Sequence, residues 1–155
     1  CAPRALITIT ICLERTPTMP STEDRFAISE LLNRMAYFYD ENHLDDLAAC
    51  FAPDAVMSMQ IAAGDMVGPF EGRDSIMDLY RGAKSSQTDV RRHDITNVMF
   101  DASGESLAVT SYLTLFATEN AETKLLTTGV YRDQVEQVDG EWKITRRHID
   151  LDSAY

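Results

Sequence analysis

Asp89-Val90-Arg91-Arg92-His93-Asp94-Ile95-Thr96-Asn97 marks the point where the apolar period of this chain changes. Before it, apolar side chains recur every three or four residues, as on one face of a helix. From Val90 onward they alternate, as on a half-buried strand. This period predicts four long strands, over 91–101, 106–118, 124–138 and 141–150. Short polar turns separate them at 102–105 and 119–123, and Asp139-Gly140 is a dipeptide that favours a tight antiparallel hairpin.

Working back from Val90, the helical period predicts a first helix over 22–39. Ser21 or Thr22 can cap it, and Glu23 and Asp24 suit the positive end of its dipole. Phe26, Leu31, Leu32, Met35, Ala36 and Tyr39 form its apolar face. A second helix is predicted over 43–51, capped by Asn42 and broken at Ala52-Pro53-Asp54. A small hairpin follows, with strands at 55–61 and 66–70. A third helix opens at Asp74 or Ser75 and turns Ile76, Leu79 and Tyr80 inward, and 82–88 reads as a polar connection. The fold class is therefore α+β. Three N-terminal helices pack on a strongly curved, mostly antiparallel sheet, giving a cone-shaped α+β barrel with an internal pocket.

The chain has 155 residues, which suits one core. Residues 1–20 are set apart as an extension or disordered arm, and 21–155 form the single domain. Positions 5–13 are an apolar run too short for a membrane span, and Met19-Pro20 reads as a natural start. With 14 Lys and Arg against 25 Asp and Glu, the formal charge is −11. Such a surface repels phosphate backbones and anionic lipid, so neither nucleic acid nor membrane is expected as a partner. The three cysteines, Cys1, Cys12 and Cys50, have no metal-type spacing and call for no disulfide, so a cytoplasmic setting is expected. No phosphate loop, zinc motif or nucleophile elbow is present in the sequence, and no cofactor is expected.

Two residues stand out as a proton-transfer pair. Asp40 ends the first helix, where a carboxylate opposes the helix dipole, a placement that hints at another task. His93 shares strand parity with Ile95, Asn97 and Met99, a mostly apolar set that points it toward the helices. An aspartate beside a histidine fixes the tautomer and stabilises the imidazolium, which frees the other ring nitrogen for proton transfer. A core histidine bonded to backbone is the plainer alternative. Tyr112 stays open between a pocket hydroxyl and a packed surface aromatic, and His148, near the chain end, could sit at a pocket mouth. Arg146 and Arg147 point to opposite faces, so at most one enters the pocket, where it would bind an anionic group or a developing oxyanion.

The order and spacing of several segments resemble the SnoaL-like family of the nuclear-transport-factor-2-like superfamily. They are Tyr39-Asp40, Phe51-Ala52-Pro53-Asp54-Ala55, Phe70-Glu71-Gly72-Arg73-Asp74-Ser75-Ile76, His93-Asp94-Ile95-Thr96-Asn97 and the Asp139-Gly140-Glu141-Trp142-Lys143-Ile144 hairpin. Within that family the chain is similar to the scytalone dehydratase and hexachlorocyclohexane dehydrochlorinase types, cofactor-free lyases with an Asp–His dyad. The resemblance implies that Asp40 and His93 are the catalytic positions. It also implies that Tyr39, Tyr112, Met59 and Arg147 face the substrate. Tyr112 stands where scytalone dehydratase has a second histidine and Met59 where it has a second pocket tyrosine, departures that argue against scytalone itself. Arg147 matches an arginine of the dehydrochlorinase, though a shift of one residue would select Arg146.

The expected function is thus a cofactor-independent lyase or isomerase acting on a small, apolar, cyclic substrate. The resemblance further implies a homo-oligomer, a dimer or trimer joined through the outer sheet face. The alternative is a non-catalytic ligand-binding protein, or a partner like the β-subunit of a ring-hydroxylating dioxygenase, which needs no dyad.

Overall fold

The computed structural model describes residues 18–155; the readings of Cys1, Cys12 and the 5–13 run lie outside the described residues. Its elements are α1 (Thr22–Asp40), α2 (Leu44–Ala49), β1 (Phe51–Ile61), β2 (Met66–Glu71), α3 (Arg73–Ser85), β3 (Val90–Asp101), β4 (Leu107–Glu119), β5 (Glu122–Val138) and β6 (Glu141–Leu151). The strands form one sheet in the order β2-β1-β6-β5-β4-β3. Every neighbouring pair is antiparallel except β1 with β6, which is parallel. The sheet is open, with β2 and β3 as edges, so the helices rather than strand pairing close the cone.

The curvature has a local cause. Each of the five ladders carries a register irregularity, and each such step bends a strand and increases its twist. In β3 the step lies between Thr96 and Met99, and Asn97 there has a left-handed φ of 53°. Asparagine accepts that backbone region more readily than most residues. The predicted run of inward positions His93, Ile95, Asn97 and Met99 therefore breaks at Asn97. His93 and Ile95 keep the inward face, but beyond the bulge Val98 and Phe100 pack on the core and Met99 is 56% exposed.

α1 starts at Ser21, whose hydroxyl accepts the Asp24 N–H while Asp24 reaches back to the Ser21 N–H. Asp24 also accepts from Trp142 Nε1 at 3.1 Å, which fastens the start of α1 to the β5–β6 hairpin. Ile28, Leu32 and Met35 make the buried stripe, whereas Phe26, two residues from Ile28 and so on the far side of the helix, is exposed. α1 ends where the His43 N–H bonds to the Phe38 carbonyl at 2.7 Å across a left-handed Asn42. Asn42 thus terminates α1 instead of capping α2.

α2 is shorter than predicted and Phe51 already belongs to β1. Pro53 does not break the chain there; it falls in the unpaired gap of the β1–β6 ladder between Phe51 and Val56, where no N–H is needed. α3 extends through residues 82–85, into the polar connection predicted at 82–88. At the β5–β6 turn, Asp139 and Gly140 both take positive φ, at 52° and 81°, as a two-residue hairpin requires. The core lies between the helices and the inner sheet face, with Ile28, Leu32, Leu47 and Ile76 against Val109, Leu115 and Ile144. No described helix is long and apolar enough to cross a membrane.

Candidate functional site

Asp40 is the last residue of α1, and His93 is the fourth residue of β3. Packing α1 across β3 brings them together. Asp40 Oδ1 lies 2.6 Å from His93 Nδ1, and Asp40 Oδ2 accepts the His93 backbone N–H at 2.9 Å. The carboxylate therefore holds both the ring and the strand that carries it. Both side chains are nearly enclosed, at 5% and 9% exposure. His93 Nε2 has no partner among the described residues.

The supports of this pair come from three elements. Lys84 on α3 donates from Nζ to the Asp40 carbonyl oxygen at 3.0 Å, and its ammonium lies 5.2 Å from the centre of the Tyr39 ring. Burial holds the Lys84 amine below its ordinary pKa, while Asp40 beside it pulls the other way. Tyr39 meets the His93 imidazole edge-on at 5.4 Å between ring centres and the Tyr80 ring at 5.1 Å. Burial pushes the Tyr39 hydroxyl up to about 12.

His93 opens on a cavity of about 220 Å³ between the helices and the inner sheet face. Asp40 is not part of its wall and stands behind the histidine. Most of the wall is apolar, including Leu32, Met35, Leu79 and Ile149. Met59 also lines it, because β1 sets Met59 beside Ile149 of β6.

A second polar group lines the same cavity. Arg147 is buried and forms a two-point ion pair with Asp133, from Nε to Oδ1 at 2.7 Å and from Nη2 to Oδ2 at 2.8 Å. Its guanidinium also lies 4.3 Å from the centre of the Tyr131 ring. Burial works against the Arg147 charge, but Asp133 more than offsets this and its pKa stands above that of an ordinary arginine. Burial likewise raises the hydroxyls of Tyr80 and Tyr131, which the Arg147 charge opposes.

The structure separates the residues named from sequence. Asp40, His93, Tyr39, Met59 and Arg147 come together around the cavity. Arg146 is exposed, which resolves the choice of arginine in favour of Arg147. Tyr112 does not reach the cavity: it is 47% exposed on the outer face, because Leu113 and Ser111 take the inward positions of β4. His148 also faces away from the cavity, between Ser58 Oγ at 2.8 Å and Asp150 Oδ1 at 3.0 Å. Tyr131 and Asp133 were missed, although both share the inward parity of Thr127, Gly129 and Val135 on β5. Among the described residues, no group of three or more His, Cys, Asp and Glu is arranged to hold a metal ion.

A family model described as the SnoaL-like domain matches residues 20–148. The chain belongs to the SnoaL-like domain family. No curated protein sequence matches it at a significant level. Solved structures do. A candidate scytalone dehydratase from Novosphingobium aromaticivorans superimposes with a TM-score of 0.66 at 26% identity, covering 83% of this chain and 84% of the other. The β-subunit of a candidate aromatic-ring-hydroxylating dioxygenase from the same organism gives 0.73 at 16% identity, over 86% and 92%. Aln2 from Streptomyces gives 0.73 at 21% identity, over 87% and 95%. The last two likenesses show the SnoaL-like fold alone, and fold does not decide function.

Proposed function

We propose that this SnoaL-like protein is a cofactor-independent lyase or isomerase of dehydratase type, acting by proton transfer on a small, apolar, cyclic substrate. The observation that carries this reading is the two-point hold of Asp40 on His93, with the other ring nitrogen left to an apolar cavity. With Nδ1–H donated to Asp40, Nε2 is the basic nitrogen. Nε2 takes a proton from an acidic C–H of the substrate, and Asp40 stabilises the imidazolium that forms. The electron pair released at carbon then expels a neighbouring hydroxyl, which leaves as water with the proton returned by His93. In the isomerase variant the proton returns to another carbon. General base catalysis of this kind contributes roughly 10²–10⁴-fold in rate. Arg147 N–H groups supply hydrogen bonds to an oxygen that gains charge during the reaction.

The cavity volume of about 220 Å³ favours one or two rings. A dry protein cavity of about 150 Å³ already accepts benzene. The likeness to a candidate scytalone dehydratase supports the lyase reading, and Met59 lines the cavity where the resemblance implies a tyrosine in scytalone dehydratase, a departure that argues against scytalone as the substrate. The test is a turnover screen of cyclic alcohols and ketones with wild type and His93→Ala. A substrate consumed by wild type and spared by His93→Ala supports the reading; equal consumption by both removes it.

The likeness to a dioxygenase β-subunit favours a second reading, a non-catalytic partner or ligand-binding module. Its outer sheet face, where Met99 and Tyr112 are exposed, would then meet another chain. The same face would serve the homo-oligomer expected of the lyase, a dimer or trimer. Light scattering on the purified chain separates monomer from oligomer. A cytoplasmic location belongs to the same proposal.

A further inference from the structure

Arg147 is the one lysine or arginine among the described residues lining the cavity, and no described aspartate or glutamate lines it. An unpaired guanidinium in such a place would attract carboxylates and phosphates. Here it is not unpaired. Asp133 has no exposed side-chain surface, Arg147 has 4%, and the two share both short contacts. Of the five N–H donors of an arginine, two go to Asp133, which leaves three. These remaining donors can bind an oxygen, but the positive charge behind them is already matched.

We propose that Asp133 is a specificity-determining residue, which keeps this end of the cavity neutral so that it selects uncharged carbonyl or hydroxyl compounds and rejects carboxylates. The inference rests on the reading of the cavity as the substrate site. An anion entering would lose its hydration in an apolar enclosure and meet no unmatched cation to offset that loss. A ketone or alcohol loses little hydration and still gains the hydrogen bonds that Arg147 retains. Asp133 does not line the cavity, so it acts through Arg147.

The experiment is isothermal titration calorimetry of the full chain with 2-naphthol and 2-naphthoate, which share a ring system and differ in charge at neutral pH. Wild type is expected to bind 2-naphthol at least about tenfold more tightly, and Asp133→Asn, which leaves Arg147 unmatched, to gain at least about tenfold for 2-naphthoate. Equal binding of the two by wild type, a preference for 2-naphthoate, or an unchanged ratio in folded Asp133→Asn overturns the inference. If Asp133→Asn does not fold, Asp133→Ser, which removes the same charge, takes its place with the same two outcomes. The variant Asp133→Asn/Arg147→Gln, with both charges gone, is then expected to keep the preference for 2-naphthol. Failure of wild type to bind either compound overturns the cavity reading itself. Charge-selective binding without turnover leaves Asp133 in its role and removes only the catalytic reading.

Discussion

Asp40 holds His93 at two points, the ring through Oδ1 at 2.6 Å and the backbone N–H through Oδ2 at 2.9 Å. One carboxylate thus sets the tautomer of the imidazole and the position of β3 relative to the end of α1. Asp40→Asn keeps the shape but puts an amide where one acceptor is needed. Its turnover is expected to fall by roughly 10²–10⁴-fold with a small change in KM, as for a group that acts in the transition state. Steady-state kinetics on any substrate found in the screen measures the split. A change confined to KM would assign Asp40 to binding.

The Arg147–Asp133 pair predicts an asymmetry in stability. Removing one partner leaves a buried charge without a match, so Arg147→Met alone is expected to lose roughly 3–5 kcal/mol. The double variant Arg147→Met/Asp133→Leu removes both charges and is expected to recover most of that loss. Urea unfolding of the two single variants and the double one gives the coupling directly.

Tyr39 predicts an alkaline limit to stability. Its hydroxyl has a folded-state pKa of about 12 against an ordinary 10.0, because burial disfavours the phenolate. Between these values the unfolded chain releases the proton and the folded chain retains it, so stability falls as pH rises. The contribution is fully present below pH 10 and amounts to about 3 kcal/mol over the window. Tyr39→Phe has no proton to lose. Its unfolding free energy is expected to drop less than that of wild type between pH 9.5 and about 12, measured by urea titration at each pH. Parallel curves for the two proteins would count against this assignment.

Asn97 predicts a backbone effect. Its φ of 53° places it in the left-handed region at the β3 bulge. Asn97→Gly is expected to be close to neutral. Asn97→Val, β-branched and poorly suited to that φ, is expected to cost roughly 1–3 kcal/mol and to lower Tm. Calorimetry on the two variants checks the difference.

The same residue shows where sequence reading stopped. Period alone recovered the α+β class, the strand order along the chain and the inward face of α3, because these follow from apolar spacing; it split β4 into two faces without choosing the inward one, and Tyr112, expected to face the substrate, lies on the outer face. It missed the bulge at Asn97, since one left-handed residue leaves no mark on hydropathy and yet reverses every later side chain of β3. It credited Asn42 with capping α2 because asparagine suits both a helix start and a left-handed helix stop, and it carried α2 into Phe51, which already belongs to β1. Asp40 and His93 were legible as residue types, 53 positions apart, but only the packing of α1 on β3 gives their contact. Asp133 was invisible for a similar reason: an acid on the inward face of a strand declares itself only when its arginine, on the neighbouring β6, is known to face it.

The most direct test of the central claim follows the proton itself. In D₂O, the exchange of hydrogen for deuterium at the carbon beside the carbonyl of small cyclic ketones is measured by NMR for wild type and His93→Ala. Removal of a C–H proton by His93 Nε2 predicts that wild type speeds this exchange by roughly 10² or more over His93→Ala. Equal exchange rates for the two folded proteins across the ketones would contradict it.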